Sequence, residues 1–375
     1  MAAVPPHADR RRAPARPAPA RRARAVRAHR DASGRGPRRR PLLVVALLLG
    51  GLLVTATAGV AGFVAWLDGN VDRIDDPFAA LDEESRPGAA PTVPGQADTA
   101  LNVLVLGADG SIDTDDPAGW QQGGQRTDAI MIVHVAADRR SAVLLSVPRD
   151  SWVDIPGHGQ GKINAAFAYG GPTLMVETVE QLTGIRIDHV AVADFESFIT
   201  LTDVLGGVDI TVPEDTYQHD RLLFSAGTHH MDGAAALAYT RQRYGLPGGD
   251  LDRVKRQQNW MRSILTTTLS EGTLSDPVRL TRFLTTVTGA VAVDETLGLG
   301  DMRRLGASLS GLRADDVTFL TVPTEGTGRS PDGTQSIVAL DAEALAPLAA
   351  AVADDTVADL LATEDGLDVL EDSVS

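Results

Sequence analysis

Cysteine is missing from all 375 residues. That excludes disulfides, cysteine zinc sites and thiol nucleophiles together. Several sequence signatures of chemistry are missing too. There is no GxxxxGK[ST] phosphate loop, no GxSxG elbow, no HExxH helix and no GxGxxG turn, so serine-triad, zinc-hydrolase and dinucleotide chemistry have no foothold. The histidines are scattered, and His229-His230 sits in a polar loop, where solvation is the simpler reading. No repeat period is visible. Stability must come from an ordinary apolar core, which a body reaching from about residue 100 to 350 is long enough to build.

What is present is distributed unevenly. Residues 1–40 carry thirteen arginines against Asp9 and Asp31, a net +11, while the whole chain is −16, which leaves −27 for everything from Asp68 onward. Between them runs Leu42 to Leu67, twenty-six residues without a charge, longer than the roughly 20 needed to cross a bilayer. Arginines on its amino side predict that this end stays in the cytoplasm. A cleaved signal peptide is the rival, with Ala56-Thr57-Ala58 as a possible cleavage stretch, but its apolar region is usually only about 7–15 residues. The expected order is a basic disordered cytoplasmic tail (1–41) and a transmembrane helix (42–67). An extracytoplasmic linker (68–99), a catalytic domain (100–352, core 100–270) and an acidic, frayed tail (353–375) follow. The acidic body would repel duplex DNA, and the basic tail has no aromatic residues to read bases, so nucleic acid is not an expected partner.

Short apolar runs, LNVLVLG (101–107), AIMIVHVA (129–136) and AVLLSVP (142–148), predict buried strands, the last two joined by a tight antiparallel turn. Pro172 marks the start of a helix that stops at Gly184. HVAVADF (189–195) predicts a strand, 196–205 a helix stopped by Gly206-Gly207, and VDITVP (208–213) a strand. A helix-prone stretch at 232–238 leads into an extended segment, Tyr239 to Arg243. Asp250 or Asp252 caps a helix running to about Ser270. Two helices within 277–313, a strand at 317–323 and a helix at 341–352 complete the pattern. The fold class expected is α/β, a three-layer arrangement of a mixed central sheet with helices on both faces, preceded by one transmembrane helix.

If the first three strands pair antiparallel, one sheet edge collects Asp109, then Arg126 with Asp128, then Arg149 with Asp150. The aspartates are hard oxygen donors suited to Mg²⁺ on a phosphate, and equally suited to plain ion pairs with the same arginines. The segment RQRYGLPGGDLDRVKRQQ, Arg241 to Gln258, packs four arginines and a lysine into eighteen residues. Arginine forks match phosphate oxygens; a solvated, salt-bridged helix face is the plainer alternative. Lys162 and Asn164 in GKINAAF follow a glycine-rich turn and could add donors.

QRTDAIMIVHV, LLSVPRDSWVDIPG, GKINAAFAYGGP, LGGVDITVPED and LAYTRQRYGLPGGDLDRVKRQQ stand in an order and spacing that resembles the LytR-CpsA-Psr family over roughly 100–350. That resemblance implies a membrane-anchored phosphotransferase outside the cell. It would move a glycan polymer from a polyprenyl-pyrophosphate carrier to peptidoglycan, commonly to the muramic acid 6-hydroxyl. By motif, Asp109 and Asp128 resemble ligands of Mg²⁺ (or Mn²⁺), and Arg126, Arg149, Arg241, Arg243, Arg253 and Gln257 a pyrophosphate cradle. Arg126, Arg149, Asp109 and Asp128 would be the residues of the chemistry. Asp250, Lys162, Asn164, Asp150 and Arg256 would support them. Two departures stand out: Gly107-Ala108-Asp109-Gly110 lacks the serine and following arginine of many members, and Asp252 replaces a frequent glycine. A non-catalytic polyprenyl-phosphate-binding scaffold is the alternative function, and a membrane-bound transcriptional attenuator a further one.

Overall fold

Strands rich in Val, Ile and Leu form the centre of the computed structural model. It describes residues 62, 65–66, 69–93, 96, 98–108, 127–218, 221–242, 250–270, 277–364 and 366–371. The basic tail and nearly all of the Leu42–Leu67 run lie outside the described residues, among which no helix is long and apolar enough to cross a membrane.

The strands in chain order begin with β1 (Arg73–Ile74), β2 (Leu101–Ala108), β3 (Thr127–Val135), β4 (Ala142–Ser146), β5 (Trp152–Ile155) and β6 (Gly159–Lys162). They continue with β7 (His189–Asp194), β8 (Val208–Val212), β9 (Thr216–Gln218), β10 (Arg221–Phe224) and β11 (Gly227–Met231). The last are β12 (Val291–Asp294), β13 (Val317–Thr321), β14 (Thr324–Arg329) and β15 (Ser336–Leu340). The helices are α1 (Asn164–Thr183), α2 (Phe195–Leu205), α3 (Gly233–Arg241), α4 (Asp250–Ser270), α5 (Pro277–Thr288), α6 (Leu299–Ser308), α7 (Ala342–Ala353) and α8 (Val357–Thr363).

Seven strands make one mixed sheet in the order β1-β12-β7-β2-β3-β4-β13. β3 runs antiparallel to β4, as the short turn predicts, and β2 runs antiparallel to β3; β7 joins β2 in parallel and β13 joins β4 in parallel. Alternation along the strands divides the core. Leu104, Leu106, Ile130, Ile132 and Leu145 pack with Phe167, Met175 and Val179 of α1 and Leu345 and Leu348 of α7. Met131, Leu144 and Phe319, of the opposite parity, pack with Met261 and Leu265 of α4. Each such large apolar side chain, fully buried, contributes about 1.5–3 kcal/mol. A smaller cluster joins the β8–β11 pair to α3 and α4 through Tyr239, Trp260 and Ile264, and the Trp260 indole donates to Thr202 Oγ1 at 3.0 Å.

Several expectations need correction. α1 starts at Asn164 rather than near Pro172: Gly170 and Gly171 (φ 62°) break its helical dihedrals, so the chain turns there before Pro172 resumes the helix. Tyr239 to Arg241 is helical, not extended: Asp232 caps the start of α3 by accepting from Ala235 N at 2.8 Å, and buried Tyr239 near its end packs against α4. β12 lies within a stretch that periodicity assigned to helices alone, and among the described residues β8 pairs only with β11. The stretch read as a linker is bound to the body. β1 pairs with β12, and Arg86 donates to Glu180 Oε1 and to Ile187 O, each at 2.7 Å, under the Phe78 ring. Its charged composition is that of a solvated spacer, but Arg73, Glu83 and Arg86 are partnered. Nor is the C-terminal stretch frayed throughout: α8 forms, and Val357 and Leu370 are buried.

The α2–α3 contact is close enough to be tested with one methyl group. A Cβ at Gly233 would lie 2.4 Å from Ile199 O and 2.6 Å from Ile199 Cα, both backbone atoms. Gly233→Ala is therefore expected to cost about 1–3 kcal/mol in urea unfolding, since neither neighbour can rotate away. A neutral result would mean that α2 and α3 pack less tightly.

Candidate functional site

At one end of the sheet β4 finishes and β3 begins. The β3–β4 register runs Ile132↔Leu145 and Met131↔Ser146, and its continuation brings Asp128 opposite Arg149. The two side chains form an ion pair, each largely shielded from solvent. A bulge aims the aspartate. Gly107 pairs with Ala129 but Ala108 pairs with Thr127, leaving Asp128 as the extra residue. Strict alternation would turn Asp128 towards the Ile130 and Ile132 side; a bulge releases it from that pattern.

The loop after β4 is pinned from behind. Asn164 N donates to Arg149 O at 3.2 Å, Ile163 N donates to Ser151 O at 2.9 Å, and Ser151 Oγ donates to Pro148 O at 2.6 Å. Asn164 is buried at the start of α1, so it holds the Arg149 backbone rather than offering a donor from an exposed turn. Lys162 pairs with Asp150 at 3.0 Å, and Asp150 O accepts from Val338 N at 2.9 Å. These two supporting candidates therefore pair with each other.

Helix α4 supplies the opposite wall. Gln258, buried, donates from Nε2 to Ser146 Oγ and Leu320 O at 2.8 Å each, with Thr321 Oγ1 at 3.3 Å. That contact fixes the helix on the ends of β4 and β13. Gln257 next to it then lines a narrow cleft with Asp128, Met131, Ser146 and Val254. The cleft holds about 20 Å³, space for about one water. Arg253, one turn before Gln257, is buried. Arg256 is buried as well, but its guanidinium lies 4.7 Å from the centre of the Tyr239 ring and donates to Tyr239 O at 3.2 Å, joining α4 to α3. Burial lowers the Arg256 pKa and raises that of the Tyr239 hydroxyl.

Arg241 ends α3 on the surface, where a positive charge suits the helix C-terminus. The neighbouring Gln242 is buried and donates to Tyr217 O. Asp250 opens α4 and Asp252 is buried in its first turn. Asp109, Arg126, Arg243 and the side chain of Asp250 lie outside the described residues. The structure thus brings Asp128 and Gln257 to one cleft, pairs Arg149 with that Asp128, sets Arg253 a helical turn from Gln257, and turns Lys162, Asn164 and Arg256 to supporting contacts. Sequence reasoning overlooked Gln258 and its partners Ser146 and Thr321. The available signal was a polar residue two places before the proline that ends each of two apolar strands, AVLLSVP and VTFLTVP.

Among the described residues no group of three or more His, Asp or Glu side chains is arranged to hold a metal. Asp128 alone still fits a hard cation that takes one or two carboxylates and draws its remaining oxygens from phosphate and water. Thr127 Oγ1 beside it is buried and has no hydrogen-bond partner among the described residues.

This fold and cleft define a class. The LytR_cpsA_psr family model matches residues 73–351, and the chain belongs to that family. The chain is 34% identical over 270 residues to the probable cell wall biosynthesis protein LcpB of Corynebacterium glutamicum, an alignment covering 70% of this chain and 62% of LcpB. It therefore spans less than two thirds of that relative. The structure resembles TagT bound to LIIa-WTA, with 26% identity and a TM-score of 0.55 over 74% of this chain and 99% of TagT. It also shares its fold with a LytR-Csp2A-Psr enzyme from Actinomyces oris, with 24% identity and a TM-score of 0.54 over 72% of this chain and 97% of that one.

Replacing Gln258 by Leu keeps the volume and removes all three contacts. The buried acceptor Leu320 O and the two hydroxyls would be left short of a donor, so a loss of about 2–4 kcal/mol is expected in chemical denaturation. A loss within error would mean that apolar packing alone holds α4 on the sheet.

Proposed function

We propose that this protein transfers a glycan polymer, as its phosphate ester, from a polyprenyl-pyrophosphate carrier to peptidoglycan, with the muramic acid 6-hydroxyl as acceptor. The observation that carries this reading is the Asp128–Arg149 pair set across a narrow cleft from Gln257, with Arg253 a helical turn away. A cationic fork and an amide donor beside one carboxylate suit an anion with many oxygens. The cell wall role in the name of LcpB and the ligand of TagT support the same substrate class.

In this reading Arg149 and Gln257 bind the pyrophosphate, with Arg126, Arg241, Arg243 and Arg253 completing the cradle. The acceptor hydroxyl attacks the glycan-proximal phosphorus, and polyprenyl phosphate leaves. Such transfer depends on positioning and on stabilising charge rather than on a covalent protein intermediate. The Arg149 guanidinium is already oriented by Asp128 and by the loop pinned at Asn164, so little reorganisation accompanies the reaction. Asp109 and Asp128 would hold Mg²⁺ or Mn²⁺, which supplies neutralisation of phosphate charge when bound.

Membrane anchorage through Leu42–Leu67, with the catalytic body outside the cell, belongs to the same proposal. Arg73 is already paired in the sheet, so only residues 68–72 follow the apolar run before the body begins. At about 3.5 Å per residue they reach less than about 20 Å, which would tether β1 close to the bilayer that holds the carrier.

The full chain in detergent, given a lipid-linked glycan, Mg²⁺ and peptidoglycan fragments, is expected to release polyprenyl phosphate. Arg149→Ala is expected to slow release by about 10²-fold or more, as loss of a charge-stabilising donor does. Removing divalent cations with EDTA is expected to stop release, and added Mg²⁺ or Mn²⁺ to restore it. Lipid bound but never released, by wild type and variant alike, would sink the transfer reading and leave a carrier-binding protein.

A further inference from the structure

The last described residues lie beyond the stretch that the family model matches. Residues 366–371 run along β13, the edge of the seven-stranded sheet. Val369 bridges Leu320 in antiparallel fashion, Thr321 N donates to Asp368 O at 3.1 Å, and Leu370 N donates to Phe319 O at 2.9 Å. An otherwise open edge is thereby covered. Leu370 is buried with Met131, Leu144 and Phe319, the same cluster that Met261 and Leu265 of α4 join.

The segment also grips α4 directly. Lys255 Nζ lies 2.9 Å from Asp368 Oδ1, and Arg262 Nη1 donates to Glu371 O at 2.8 Å. Lys255 and Arg262 are seven residues apart and share one side of the helix. Gln258, between them, is bound to the sheet. α4 is therefore held on two sides, by the ends of β4 and β13 and by a strand laid along the edge of β13.

We propose that residues 366–371 form a C-terminal strap that sets the position of α4, with Asp368 and Leu370 as positioning residues for Arg253 and Gln257. The ligand side of this inference rests on the function proposed above; the mechanical side does not. Neither residue touches the cleft, and both act through the helix that lines it.

The test compares the full chain with a truncation after Glu364, a control truncation after Glu371, and the milder Leu370→Ala. Hydrogen exchange is read in α4 and in α1, and inorganic pyrophosphate binding by calorimetry. Removing the strap is expected to speed exchange over 255–262 by about tenfold while α1 stays protected. It is also expected to weaken pyrophosphate binding by about tenfold through loss of preorganisation. Leu370→Ala is expected to move both in the same direction by less, and the control truncation to move neither. If the truncated chain loses protection in α1 as well, Leu370→Ala decides the matter. Unchanged exchange in α4 would overturn the strap. Faster exchange with unaltered pyrophosphate affinity would overturn its positioning role. An intact chain that binds no pyrophosphate would refute the function proposed above, and the exchange result would still decide the strap.

Discussion

One buried amide holds this arrangement together. Gln258 reaches from α4 to the ends of two sheet strands and meets two hydroxyls and a backbone carbonyl there. A buried amide is costly when unpaired and specific when paired. Apolar packing through Met261 and Leu265 would let the helix slide along the sheet at small cost, whereas this contact is satisfied in only one register. Gln257 and Arg253 take their places from that register, and the cleft opposite Asp128 exists because of it.

The basic segment is consequently not one patch. Gln257 lines the cleft, Arg256 lies against Tyr239, and Lys255 meets Asp368. Adjacent helical positions point about 100° apart, so a run of cations along the chain becomes a set of different contacts in space. Lys255 follows the salt-bridged-helix reading of the segment, and the proposed phosphate cradle rests on Gln257 and Arg253 within it. Asp128 shows the same economy on the sheet side, where one extra residue in β3 determines which way its carboxylate faces.

Much of the frame was legible beforehand. LNVLVLG, AIMIVHVA and AVLLSVP are runs of β-branched and apolar residues between turns, and the antiparallel order of the last two follows from the short ADRRS connection, whereas the pairing of the first is decided only in the fold. That order alone brings Asp128 and Arg149 to one edge. The motifs spread over 100–350 identify the family without reference to any contact. The errors share a cause. Residues 73–87 and 366–371 have a solvated composition, yet each finds a partner distant in sequence: Arg86 at Glu180, Asp368 at Lys255. The Tyr239–Arg241 turn of α3 was missed because its helical state is set by the Asp232 cap and by packing on α4.

Sequence by itself therefore determined the absence of thiol chemistry, the identity of the strands around the site, the family, and the meeting of Asp128 with Arg149. All of these depend on residue type, period or short-range order, which the chain carries locally. Tertiary structure alone decided which polar residues face the cleft, which arginines brace helices, and which charged segments belong to the body. Those outcomes depend on pairing between residues up to hundreds of positions apart, and on the single register that Gln258 imposes on α4.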